Sequence, residues 1–193
     1  DIDDEGLVGS LALELGGGLG GKLFTFNAYF RLAINTRSTA ATIYRLEIDP
    51  ETGNVYAFGG GATALALTKD GKLIWERSIG EENAAFTTHG GRTESPVIDG
   101  DLVIVSSPIS SWGTMAGRAH RFVAFDKRTG DIVYSANPGG RPYDTAYAPA
   151  LLTTINGLRL LIDGIGDGAI HAMKPQTGEK VWSFSAAKRA INT

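Results

Sequence analysis

The residues of this sequence best suited to chemistry lie in three polar stretches. His89 and Arg92 fall in Thr87-Thr88-His89-Gly90-Gly91-Arg92-Thr93; Trp112, Arg118 and His120 fall between Ser110 and Arg121; Arg141 and Tyr143 fall in Pro138-Gly139-Gly140-Arg141-Pro142-Tyr143-Asp144. Guanidinium groups form paired hydrogen bonds with carboxylates and phosphates, and an indole stacks on a flat ring, so this set suits an anionic ligand. The Gly-Gly-Arg triplet occurs twice, ending at Arg92 and Arg141. Arginines in such linkers also brace the carbonyls of a neighbouring loop, and loop histidines are commonly only solvated; both uses stay open. His89 or His120 would act as a general base of a hydrolase or lyase only with a nucleophile and an orienting acid at hand. The sequence places neither beside them, so no catalytic residue is assigned.

Metal and nucleotide chemistry find less support. Asp163 and Asp167 lie in Ile162-Asp163-Gly164-Ile165-Gly166-Asp167-Gly168, without the alternating carboxylates of a calcium loop. His89, His120 and His171 lack zinc-like spacing, and the chain has no cysteine for a thiolate site, a disulfide or a nucleophile. His171 falls on an expected strand, as a packed side chain. Gly16-Gly17-Gly18-Leu19-Gly20-Gly21 fits G-x-G-x-x-G, and Lys22 brings it within one residue of a P-loop. Both motifs need a helix directly afterwards, whose amides and dipole bind the phosphate. Here Leu23-Phe24-Thr25-Phe26 follows, which is strand-like.

Eighteen basic against 21 acidic residues leave a net charge of −3, which gives no overall positive field for a nucleic-acid partner. No apolar run approaches the roughly 18 residues of a membrane helix. The acidic start, Asp1-Ile2-Asp3-Asp4-Glu5, lacks the basic and apolar regions of a secretory signal, which implies a removed signal or a truncated record.

The elements that must position these residues appear as a repeat. Ala64–Trp75, Phe122–Tyr134 and Ala169–Trp182 each run from apolar residues through a polar turn with a late glycine to an aromatic. Aligned on Gly71, Gly130 and Gly178, the copies lie 59 and 48 residues apart, against roughly 40–50 for four-stranded propeller blades. Each copy has the pattern of a β-hairpin. A second strand pair precedes each: Ile43–Ile48 with Val55–Phe58, Pro96–Ile98 with Leu102–Val105, and Ala148–Thr154 with Leu158–Ile162. Four strands per unit and almost no helical periodicity predict an all-β chain. The expected fold is a partial β-propeller of about three four-stranded antiparallel blades. Trp75, Tyr134 and Trp182 occupy one position of the unit and are assigned to blade-to-blade packing.

Asp126-Lys127-Arg128-Thr129-Gly130 and Lys174-Pro175-Gln176-Thr177-Gly178, each leading to an aromatic, resemble the tryptophan-docking repeats of quinoprotein-type, pyrroloquinoline-quinone-like propellers. Ser95-Pro96-Val97-Ile98-Asp99-Gly100 resembles the opening of a following blade. The resemblance covers residues 43–193. It implies seven or eight blades in a complete ring, and hence a fragment here, with a periplasmic or other extracytoplasmic location.

Blade 1 is assigned to residues 41–86, blade 2 to 87–137 with a long inter-strand loop at 106–121, and blade 3 to 138–193 with a linker onward. Residues 1–40, where Phe24, Phe26, Ala28, Phe30, Leu32 and Ile34 alternate with more polar neighbours, are assigned a strand or hairpin of a preceding blade. In up-and-down order, the connection between second and third strands shares a face with the connection to the next blade. This collects His89, Arg92, Trp112, Arg118, His120, Arg141 and Tyr143, with Lys188 and Arg189, at one rim. An open array also exposes strand edges and a blade face, which predicts self-association.

Three functions compete. One is a non-catalytic binding or scaffolding propeller whose loop-rich face takes a protein partner or small anionic ligand. The alternative implied by the resemblance is a piece of a quinone-dependent dehydrogenase, with pyrroloquinoline quinone and calcium as cofactors; the chain lacks the adjacent cysteines and carboxylate cluster of that site. The third is the hydrolase or lyase considered above.

Overall fold

A computed structural model of the chain describes residues 2–3, 6–18, 25–35, 44–59, 62–83, 94–107, 121–143 and 148–188. Two compact units are present, Asp1–Thr42 and Ile43–Thr193. In the first, β1 (Ile2–Asp3), β2 (Gly6–Gly18) and β3 (Thr25–Asn35) form an antiparallel sheet. The alternation over 24–34 thus marks β3, and its partner β2 escaped the sequence reading because glycines break its pattern. Gly16, Gly17 and Gly18 pair with Asn27, Phe26 and Thr25, so the glycine run extends a strand instead of opening onto a helix.

The second unit contains three four-stranded antiparallel sheets. Sheet 1 runs β4 (Tyr44–Ile48), β5 (Val55–Gly59), β6 (Thr63–Leu67) and β7 (Leu73–Ser78), followed by a five-residue helix α1 (Ile79–Asn83). Sheet 2 comprises β8 (Val97–Asp99), β9 (Leu102–Ser107), β10 (Arg121–Asp126) and β11 (Ile132–Ala136). Sheet 3 comprises β12 (Leu151–Ile155), β13 (Leu158–Gly164), β14 (Ala169–Met173) and β15 (Lys180–Ser185). β8 and β12 begin after Pro96 and Pro149, later than the sequence suggests; proline has no N–H to give a ladder. Between β12 and β13 the Asn156-Gly157 turn has both residues at positive φ, the geometry that matches strand twist in a tight hairpin.

Two cores separate the sheets. Tyr56, Phe58 and Trp75 of sheet 1 pack with Val103, Val105, Val123 and Phe125 of sheet 2. On the opposite face of sheet 2, Leu102, Ile104, Phe122 and Ala124 pack with Leu161, Ile165 and Met173 of sheet 3. Sheet 2 is therefore buried on both sides, which is why Leu102–Val105 and Phe122–Phe125 read as unbroken apolar runs. The end sheets bury one face, and β6 shows the resulting alternation.

One joint links successive sheets, and it occurs twice. Trp75 pairs with Ala66 and Tyr134 with Ala124, and in each case the register shifts directly after the alanine. The buried alanine leaves room for the ring, which reaches across to the following sheet. There the Trp75 indole N–H donates to the Lys127 carbonyl at 3.1 Å, and the Tyr134 hydroxyl to the Pro175 carbonyl at 2.7 Å. Those carbonyls stand three residues before Gly130 and Gly178, whose φ values are +75° and +71°. A Cβ on either glycine would lie 2.7 Å from an aromatic ring carbon. Glycine at these two positions thus answers both the left-handed backbone and the close approach of the ring.

Acid-centred contacts reinforce each joint. Lys127 Nζ pairs with Asp49 at 2.9 Å, both groups nearly sealed from solvent. Burial alone raises the Asp49 carboxyl, but the Lys127 contact and the Glu51 amide outweigh it and hold the group below its ordinary value. At the second joint, Asp99 accepts from Gln176 Nε2 at 2.7 Å and pairs with the Arg159 guanidinium at 2.9 Å.

Candidate functional site

The connection from sheet 2 to sheet 3 carries the rim residues that the structure describes. Arg141 and Tyr143 are exposed on it, and Arg141 makes no hydrogen bond or ion pair among the described residues. His89, Arg92, Trp112, Arg118, His120 and Arg189 lie outside the described residues. Lys188 is exposed beyond β15.

The backbone under Arg141 is fixed from below. Gly140 N–H donates to Asp167 Oδ2 at 2.7 Å, and Tyr143 N–H donates to the Gly166 carbonyl at 2.7 Å. Gly139 packs so tightly that a Cβ there would lie 2.2 Å from Ile165 Cδ1 and 2.7 Å from Asp167 Oδ2. Asp167 sits in the β13–β14 turn and also accepts the Ala169 N–H at 3.0 Å and His171 Nε2 at 3.0 Å. Burial raises this carboxyl, but the His171, Gly140 and Ala169 hydrogen bonds prevail and pull it down to about 2. An ionised carboxylate only accepts, so His171 presents N–H at Nε2. Its Nδ1 is buried without a hydrogen-bond partner. The first glycine of the Gly-Gly-Arg triplet thus allows close packing, the second supplies a donor, and the arginine is displayed.

Beneath this linker lies a pair of acids. Glu94, immediately before β8, is 4% exposed, and Asp163, on β13, is 2% exposed. None of their four carboxyl oxygens has a hydrogen-bond partner that meets ordinary geometry. Burial drives the Glu94 carboxyl well above its usual range and the Asp163 charge adds to this, against an opposing contribution from the Ser106 hydroxyl. Burial likewise raises Asp163, opposed by the Gly164 amide. Asp163 and His171 are cross-strand partners. Sequence reading missed Glu94 and the Asp167–His171 contact; the only available signal was His171 at an inward position of β14.

The cofactor pair of the dehydrogenase alternative does not fit these residues. Calcium takes 6–8 oxygen ligands. The described residues bring no three acidic or histidine side chains together for a metal, and Glu94 and Asp163 are two carboxyls closed off at a seam between sheets. No step through quinone or calcium is derived.

The fold is shared with solved propellers. BamB from Moraxella catarrhalis is 22% identical, with a TM-score of 0.49 over 72% of this chain and 36% of its own. A europium-containing methanol dehydrogenase is 17% identical, with a TM-score of 0.53 over 83% of this chain and 36% of its own. The quinohemoprotein alcohol dehydrogenase from Comamonas testosteroni is 18% identical, with a TM-score of 0.47 over 71% and 26%. The chain therefore spans little more than a third of the first two. No curated protein sequence matches it. The repeated joint has a counterpart at the level of sequence, because residues 47–193 match the pyrroloquinoline-quinone-type repeat family described as outer membrane protein assembly factor BamB, and the chain belongs to that family.

Proposed function

We propose that this chain is part of a non-catalytic binding or scaffolding propeller, acting outside the cytoplasm, that engages an anionic ligand or an acidic segment of a protein partner at its loop-rich rim. The observation that carries this reading is the display of Arg141 and Tyr143 on a linker already fixed by Asp167, His171 and the Gly166 carbonyl. Such pre-organisation lowers the ordering cost of binding. The family's description as an outer-membrane protein assembly factor favours a protein partner over a small molecule.

Fluorescence anisotropy with labelled acidic and neutral β-strand peptides tests this. Acidic peptides bind more tightly, binding weakens with salt, and Arg141→Ala with Tyr143→Ala reduces affinity at least about 10-fold while stability stays within about 0.5 kcal/mol. Equal binding of both peptide classes, or a variant that binds unchanged, overturns the rim assignment. Titration with pyroloquinoline quinone and calcium leaves the quinone absorbance unchanged; a bound-quinone spectrum would favour the dehydrogenase alternative.

A further inference from the structure

The two joints that hold the sheets together each need an aromatic on one sheet and a glycine turn on the next, and the unit carries one spare of each. Trp182 pairs with Ala172, and the register shifts directly afterwards, as at Trp75 and Tyr134. Yet Trp182 is 38% exposed where Trp75 is 8% exposed, because no sheet is stacked beyond sheet 3. Leu151, Ile155 and Phe184 are exposed with it, Phe184 at 64%.

The opposite end carries the vacant receptor. Gly71 has φ +79°, and a Cβ there would meet nothing within 4 Å, whereas Gly130 and Gly178 each lie under a ring. Aligned on the register shift, Lys69 holds the place of Lys127 and Pro175, whose carbonyls accept the aromatic donors. Val55 and Leu67 correspond by register to Val103 and Phe125, which sheet 2 buries against the sheet before it. In sheet 1 these positions are only partly buried, beside exposed Ile48 and Leu73.

We infer that a second copy of this chain fills both vacancies, with Trp182 of one copy seated on the Gly71 turn of the next and donating to the Lys69 carbonyl. The two joints already formed supply the geometry, and the complementary halves belong to one sequence. Because the two surfaces differ, the contact is head-to-tail and builds rings or open chains of copies. It uses the sheet faces at the two ends and leaves the rim of the proposed function free.

Sedimentation equilibrium of the full 193-residue chain tests the inference. The wild type shows a mass above the 20.4 kDa monomer that rises with concentration. Trp182→Ala and Gly71→Asn are each monomeric at concentrations at least 10-fold above the wild-type midpoint, with unchanged circular dichroism; asparagine tolerates the left-handed backbone. An equimolar mixture of the two regains a dimer, since each variant keeps the half the other lacks. Should either variant unfold, Phe184→Ser on the Trp182 face weakens association at least 10-fold. A monomeric wild type, full association of Trp182→Ala or Phe184→Ser, or a mixture that stays monomeric overturns the inference.

Discussion

Glu94 and Asp163 set two carboxyl groups in one closed seam, where burial and mutual repulsion make ionisation costly. Above the ordinary glutamate value of 4.5, the folded state keeps a proton that the unfolded chain releases. The folded state then binds more protons, so this pair's contribution to stability is complete below that value and declines as pH rises toward its elevated folded values. Glu94→Gln removes one ionisable member at nearly constant shape. It is therefore expected to melt close to the wild type at pH 5 and to exceed it by about 1–3 kcal/mol at pH 8. Parallel stability profiles for the two proteins over that range would show that the seam does not hold a proton. Asp167 has the opposite sign: its contribution is complete above the ordinary aspartate value and is lost as pH falls through about 2. Neither behaviour was legible in the sequence. Glu94 stands between Thr93 and Ser95 in a polar stretch, where an acid reads as solvated, and only the stacking of sheets 2 and 3 seals it. Arg141 was legible as a rim residue because a loop arginine beside two glycines signals display directly.

At the scale of elements, the hairpin repeat was legible because each turn must place a glycine at positive φ, and glycine is the residue that sequence marks most clearly. What each glycine receives was not legible, since the ring that covers it comes from the preceding sheet. Gly157 and Gly178 separate the two demands. Gly157 has φ +79° and open space around its missing Cβ; Gly178 has φ +71° with Tyr134 at 2.7 Å and Ala136 at 2.5 Å from that position. Alanine at Gly157 meets only the left-handed backbone, a cost of about 1–2 kcal/mol. Alanine at Gly178 adds the displacement of a ring that donates to Pro175, for a total of about 3–5 kcal/mol. Urea unfolding of the two variants gives the comparison. Equal losses would mean that Tyr134 is held by apolar contact alone, without dependence on the glycine surface. The strand β2 was illegible for a related reason, since Gly16–Gly18 lack the side chains from which alternation is read.

For the Ile43–Thr193 unit as a whole, the sheets form a short linear array in which each stacks only on its neighbours, so stability is shared between sheet and joint contributions. Sheet 2 has both faces covered and both joints, whereas sheets 1 and 3 have one of each. Opening sheet 2 breaks two cores; opening sheet 3 breaks one and releases β15, whose residues are all exposed. Amides of β9 and β10 are therefore expected to exchange slowest in native-state hydrogen exchange, and those of β14 and β15 at least about 10-fold faster, through a partial opening. The difference depends on concentration if copies stack. In dilute protein the end sheets open separately, and as Trp182 finds a neighbour their protection rises toward that of sheet 2 while β9 and β10 change little. Uniform protection across all three sheets in dilute protein would contradict this, because it would mean that the array unfolds as one cooperative block despite its uncovered ends.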